Sequence, residues 1–283
     1  MSPRSLTLAL LPLFAALGCN QAADTSDTDT GTDSSTGSDT ATEADPCTPD
    51  PCQNGGVCSV VDNLAVCDCA GTGFGGEVCD VALPPSVSVS FDDNATLAAL
   101  DVAGDPQTTG WNNALGAGPG QGADGTLADL LDEGGASTGV SIDWSCQDIE
   151  VTPLSGGSAA DQAMMGQGCR AWMGMGDATI TLHGLNAHFA SGYTVIAYVG
   201  HGGGFPTDHT ATFTLNVGAD TVSGAVLAAF DGTFDTLDGA GDAGNVYVSS
   251  AHTEDDLVIT LAATGNATLP TAAINGLQVL ATP

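Results

Sequence analysis

Thr210-Ala211-Thr212-Phe213-Thr214-Leu215-Asn216-Val217 sets small polar residues on the even positions and apolar ones on the odd positions. Successive side chains of a β-strand point to opposite faces, so this octet reads as a half-buried strand. Threonine and asparagine face water, and Phe213, Leu215 and Val217 face a core. The same signature recurs outward in both directions. Val87, Val89 and Phe91 alternate with Ser86, Ser88 and Ser90, and Ala178, Ile180 and Leu182 alternate with Thr179, Thr181 and His183. Val246 and Val248, then Leu257, Ile259 and Leu261, repeat it. Clusters of Gly, Asn and Asp separate the runs at intervals suited to a sandwich. No long run has period 3.6, and only Leu127 to Leu131 reads as a helical turn or two. The expectation is an antiparallel β-sandwich over residues 84–283, of about eight or nine strands, closed by Ala272–Leu280.

The charge is extreme. Thirty-four acids face two bases in 283 residues, and there is no lysine. Arg4 falls in a segment expected to be removed, which leaves Arg170 as the one base of the mature chain. Phosphate contacts need lysine and arginine, so a nucleic-acid partner is excluded, and so is attraction to anionic lipid headgroups. Acid excess confers solubility, and it also supplies carboxylates suited to calcium.

Upstream of the strands lie six cysteines in 33 residues, CTPDPCQNGGVCSVVDNLAVCDCAGTGFGGEVC, from Cys47 to Cys79. So short a segment buries too little apolar surface to fold unaided and needs covalent staples. The spacing C-x4-C-x5-C-x8-C-x-C-x9-C, with NGG before the third cysteine and GFGG before the last, resembles an EGF-like module over residues 47–80. Spacing alone leaves 15 connectivities open. The resemblance implies first to third, second to fourth, fifth to sixth: Cys47–Cys58, Cys52–Cys67 and Cys69–Cys79. Calcium-binding members of that family carry an acidic pair before the first cysteine and an Asn or Asp two residues after the third. Here Ala44-Asp45-Pro46 precedes Cys47 and Val60 follows Cys58, so the module is read as lacking that calcium site. It serves as a rigid spacer or as a protein contact.

Residues 1–18, MSPRSLTLALLPLFAALG, place one arginine before an apolar run from Leu6 to Leu17, a run too short to span a bilayer. The segment reads as a secretory signal. Its end, Ala16-Leu17-Gly18-Cys19, resembles the bacterial lipobox, which implies a lipid on Cys19 and cleavage before it. Alanine at position 16 departs from the leucine that the motif prefers. Residues 19–46 follow as a lipidated start and an Asp/Thr/Ser/Gly stalk that cannot offset its ordering entropy by burial. Of nine cysteines, setting Cys19 aside leaves eight, an even set suited to an oxidising compartment. Cys146 and Cys169 then pair by elimination. The expected location is the bacterial envelope, at the outer membrane or cell surface.

Gly110–Asn113, Gly135–Ile142, Ala178–Leu185, Gly192–His201 and Ala272–Leu280 resemble jelly-roll modules of secreted bacterial proteins, in the galactose-binding-like, carbohydrate-binding class. That resemblance covers about residues 85–283, and because its motifs are mainly structural it implies the fold more than the carbohydrate ligand of that class. Catalytic motifs are weak by contrast. Gly135-Ala136-Ser137-Thr138-Gly139 matches G-x-S-x-G and His201-Gly202-Gly203-Gly204 matches the esterase oxyanion element, but in the wrong order and without the strand–turn–helix context. Gly118–Ala123 fits G-x-G-x-x-A but follows no strand. Carboxylates are abundant enough for glycoside hydrolysis, yet abundance is not placement. The chain is therefore read as no enzyme.

Sugar recognition needs a flat apolar face and short polar groups. Trp111 with Asn112 and Asn113 supplies both in one loop, and Tyr198 and His201 lie at a strand end. Against this, Trp111 could plug the sandwich end, with the two asparagines capping a turn. Trp144 and Trp172 read as cover for the Cys146–Cys169 pair, and Arg170 as the partner of a buried carboxylate. Asp92 and Asp93 are candidate ligands for a structural calcium ion. The expected partners are the membrane, through the lipid, and a carbohydrate or a surface protein. The alternatives are an envelope protein without sugar binding or a polysaccharide hydrolase.

Overall fold

The computed structural model describes residues 45–69, 72–75, 77–92, 97–116, 123–151, 154–200, 212–227, 229–264 and 271–282. Cys19, the stalk to residue 44, Asp93, His201 and the three glycines after it lie outside the described residues. The cysteine-rich module is built from two small ribbons. Strand β1 (Val57–Val61) pairs antiparallel with β2 (Leu64–Asp68), and β3 (Phe74–Gly75) pairs with β4 (Val81–Ala82). Disulfides Cys47–Cys58, Cys52–Cys67 and Cys69–Cys79 hold them, the connectivity that the EGF-like resemblance implies.

The chain then runs through β5 (Ser86–Asp92), β6 (Asn112–Leu115), β7 (Ala123–Leu127), β8 (Ser141–Cys146), β9 (Ile149–Val151) and β10 (Leu154–Gly156). Helix α1 (Ala159–Met165), β11 (Gln167–Trp172), β12 (Ala178–His183) and the helical turn α2 (Leu185–His188) follow. The last third holds β13 (Tyr193–Gly200), β14 (Thr212–Val217), β15 (Asp220–Val226), β16 (Phe230–Asp231), β17 (Ala243–Gly244), β18 (Val246–Val248), β19 (Leu257–Thr264) and β20 (Thr271–Ala281).

Fourteen of these sixteen strands build two sheets of seven, rather than eight or nine strands in all, and β10 pairs parallel with β16 outside them. One sheet runs β17-β15-β14-β19-β12-β8-β7. The other is organised on β20, whose 11 residues are long enough to serve two partners along one edge. β13 lines one side of it; on the other, β11 takes Thr271–Ile274 and β5 takes Gly276–Leu280. β18 and β9 extend this sheet outward, and β6 adds parallel to β5. Between the two sheets lies the main core, with Val87, Val89, Phe91, Val195, Leu277 and Val279 facing Ile142, Ile180, Leu182, Phe213, Leu215, Ile259 and Leu261. Cys146 of β8 bonds to Cys169 of β11, so the fourth disulfide cross-links the two sheets.

The two sheets differ on their outer faces. β12, β14 and β19 alternate buried and accessible residues, as period two predicts. β5 is buried at all seven positions, serines included. A second apolar cluster of Leu97, Ala103, Trp111, Met164, Met165, Ile196, Tyr198, Phe230 and Val246 covers the outer face of the β20 sheet. Its lid is the loop 97–111 together with α1. Two of the three serines find partners for their hydroxyls, Ser86 Oγ donating to Glu133 at 3.3 Å and Ser88 Oγ lying 3.1 Å from Thr108 Oγ1, whereas the buried Ser90 Oγ has none among the described residues. Leu127 to Leu131 forms no helix; it ends β7 and leads into a turn. The α1 helix starts at Ser158, whose Oγ accepts the Asp161 N–H at 3.0 Å and donates to its carboxylate, a strong N-cap.

Candidate functional site

Trp111 lies 4% exposed within the second cluster, tilted 6.2 Å from the Tyr198 ring, and its Nε1–H donates to Thr108 O at 3.1 Å. Neither ring face is free for a sugar, which corrects the expectation placed on it. Asn112 donates to Ser88 O and Leu131 O and accepts the Leu131 N–H, each at 2.9 Å. Asn113 grips both backbone groups of Leu97, accepting its N–H and donating to its O at 2.9 Å. Both amides are spent on lacing β6 to neighbouring loops. Tyr198 is fully buried, and its hydroxyl accepts the Asp105 N–H at 2.8 Å while donating to Gln278 Oε1. Burial pushes that phenol well above the ordinary tyrosine range. Asp92 is buried at the end of β5, where its carbonyl accepts the Gly116 N–H at 3.2 Å.

Tyr198 thus stands behind a wall rather than in a site. Gln278, on the adjacent strand, donates from Nε2 to Pro106 O at 3.0 Å and to Thr108 Oγ1 at 2.7 Å. Asp161, in the first turn of α1, accepts the Gly104 N–H at 3.0 Å. Three buried or nearly buried side chains therefore hold the loop 104–109 from beneath. Gly104 takes φ +87°, and a Cβ there would meet the Tyr198 hydroxyl at 2.8 Å, so only glycine closes this packing.

That loop forms one wall of a cleft of about 820 Å³ between the sandwich and the cysteine-rich module. The module and the sandwich belong to one compact unit. From the module come Asp68 and the Gly73-Phe74-Gly75 segment, with Leu83 just beyond its end. Opposite stand Asp105, Pro106, Gln107 and Thr109, with Glu133 and Ser158 nearby. Phe74 is positioned by its own turn, its N–H donating to Thr72 Oγ1 at 3.1 Å while that hydroxyl donates to Cys69 O at 2.6 Å. Asp105 and Gln107 are exposed on the opposite wall. The lining holds three carboxylates and no base, so the cleft disfavours anionic ligands and suits a neutral or cationic one. Among these residues the sequence reading had singled out none as a ligand group. Phe74 lay inside the GFGG signature and was read only as module framework.

The remaining polar clusters are structural. Arg170 forms a buried ion pair with Asp148, and its guanidinium sits 4.9 Å over the Trp172 ring. Trp144 meets Phe91 edge-on at 6.1 Å inside the core. Ser137, the serine of G-x-S-x-G, donates to Asp129 at 2.6 Å in an exposed turn, and this bond holds the carboxyl below the usual range. His183 bridges Asp256 at 2.9 Å and Asp143 at 3.3 Å, and the bond to Asp256 raises its pKa. Asp50 lies close to Cys52 and Cys58, but both sulfurs are in disulfides and offer no thiolate to a metal.

No family model matches the chain. Over 34 residues it is 56% identical to neurexin-2 of mouse and of human, a match covering 12% of this chain and 2% of theirs. The chain thus spans about 2% of the length of the curated relatives it matches. Among solved structures it is similar to Bacteroides uniformis beta-glucuronidase 2 covalently bound to cyclophellitol-6-carboxylate aziridine. That likeness has a TM-score of 0.33 and 9% identity, and it covers 70% of this chain and 18% of that one. Similarity at this level carries no argument, and the reading below rests on the chain's own geometry.

Proposed function

We propose that this protein is a non-catalytic binding protein, held on the outside of a bacterial envelope by a lipid on Cys19, that takes a neutral carbohydrate in the cleft between module and sandwich. The cleft carries the reading. It combines the Phe74 ring with carboxylates and an amide at Asp105, Gln107 and Asp68, the pairing of apolar face and short polar groups that sugar rings require. The opposite wall is held from behind by Tyr198, Gln278 and Asp161, so a ligand would meet a preorganised surface rather than have to order one. The stalk and the compact module would hold this cleft clear of the lipid.

The test is binding of the secreted chain to a panel of neutral and acidic glycans, with Phe74→Ala and Asp105→Ala as variants and a thermal melt as the control for folding. Neutral glycans bound by wild type, with each substitution weakening binding at an unchanged melt, would support the reading. Absence of binding across the panel, or binding indifferent to both substitutions, would overturn it. Mass spectrometry of the native N-terminus tests the anchor: an unmodified thiol at Cys19 would overturn that part alone.

A further inference from the structure

The β1–β2 hairpin exposes four aliphatic side chains that do not line the cleft. Its register opposes Val57 to Asp68, Ser59 to Val66 and Val61 to Leu64, so these six residues share one face. Four of them are aliphatic and open to solvent: Val57 is 66% exposed, Val61 51%, Leu64 68% and Val66 45%. The opposite face carries Cys58 and Cys67, which are committed to disulfides, together with Ala65 and Val60, the latter 48% exposed. Other large apolar residues are exposed too, Leu100, Leu115, Met175 and Val258 among them, but these lie on separate elements and loops. The accessible positions of β12 and β14 are Thr179, Thr181 and His183, and Thr212, Thr214 and Asn216. What sets the hairpin apart is that four aliphatics share one face of a 10-residue ribbon, and contiguous exposed apolar patches mark interaction sites.

The backbone points the same way. Among the described residues β1 and β2 pair only with each other, and no third strand adds to either edge. An open edge beside an apolar face is the geometry that accepts an added strand. Charge then selects what adds. Residues 45–80 contain six acids, Asp45, Asp50, Asp62, Asp68, Glu77 and Asp80, and no Lys, Arg or His. A second copy would bring like charge against like, and anionic lipid would be repelled in the same way.

We infer that the hairpin edge of the cysteine-rich module is a docking site for a protein partner that adds an extended apolar strand flanked by lysine or arginine. Its side chains would extend the Val57–Val61 face, and its flanking bases would meet Asp62 and Asp68. This inference stands apart from the carbohydrate reading, because the four aliphatics do not line the cleft and Asp68 alone of the hairpin face is shared with it.

The test uses the secreted chain and a synthetic peptide of alternating valine and threonine with lysines at both ends. A glutamate-ended peptide and an N-methylated peptide serve as controls, and binding is read by fluorescence anisotropy at low and high salt. Wild type should bind the lysine-ended peptide, more weakly in high salt, and should bind both controls at least tenfold more weakly. Val61→Asp with Leu64→Asp should weaken binding at least tenfold although it adds attractive charge. Val61→Thr with Leu64→Thr, which keeps strand propensity, should weaken it too; peptide mapping of the disulfides verifies both folds. Equal binding by wild type and variants, or no binding by wild type, would overturn the inference. So would a wild-type dimer that the substitutions dissociate, or binding to phosphatidylcholine vesicles that they abolish.

Discussion

Replacing Tyr198 by phenylalanine tests whether the wall of the cleft is built from behind. The substitution keeps the ring that packs on Trp111 and Phe234 and removes only the oxygen that receives the Asp105 N–H and donates to Gln278. Two groups lose a partner. Gln278 is fully buried, so its Oε1 has no route to water, while Asp105 is exposed and its N–H can recover one. An unsatisfied buried group costs about 1–3 kcal/mol and a lost ordinary hydrogen bond about 1, for a total of roughly 2–4 kcal/mol. For a domain of this size each kcal/mol lowers Tm by roughly 2–4 °C, so a fall of about 4–16 °C is expected. The more telling measurement is amide hydrogen exchange, which reads local opening. Amides of Asp105 and of 107–109 should exchange faster in the variant, while those of β14 and β19 should keep their protection. If Tm moved by less than about 1 °C and exchange at 105–109 were unchanged, the hydroxyl would not hold the loop and the argument for a preorganised cleft would fail.

Three further outcomes follow from the same geometry. Cys146→Ala with Cys169→Ala opens a loop of sequence separation 23 between the two sheets. The chain-entropy relation assigns it about 3.4 kcal/mol, to be read in denaturant unfolding, and no change in midpoint would refute the link's role. Arg170→Met strands Asp148 in the core and should cost about 3–5 kcal/mol, whereas adding Asp148→Leu should restore most of it; a harmless single substitution would refute the pair's burial. His183 has a folded pKa raised by Asp256 and Asp143, so its contribution is complete below the unfolded value near 6.5 and is lost as pH rises through the folded one. Wild type should therefore lose Tm relative to His183→Gln as pH rises from about 6 to 9, the more so at low salt because the cluster is exposed; parallel curves would count against it.

What could be read from the chain directly were its local regularities. Period-two alternation in β12, β14 and β19 reports one buried face, because a strand's side chains alternate whatever lies around it. Cysteine spacing reported the staples, because a module this small has no other way to fold. The same alternation misled in β5, where Ser86, Ser88 and Ser90 read as a wet face and are buried. Burying Ser86 and Ser88 depends on partners far along the chain, Glu133 and Thr108, which no local pattern contains.

Trp111, Asn112 and Asn113 looked like a binding loop because a sequence shows residue types and not what they touch. In the folded chain they touch Thr108, Leu131 and Leu97. Helix α1 escaped notice because seven residues carry too little periodicity, although Ser158-Ala159-Ala160-Asp161 signals its start. The cleft lay beyond sequence reading for a plainer reason. Phe74 and Asp105 are 31 positions apart and meet only because the module packs beside a loop that Tyr198 and Gln278 hold, residues 80 positions apart in the chain and bonded across adjacent strands. Local patterning determines which residues avoid water; only the pairing of distant strands decides which surfaces come to face each other.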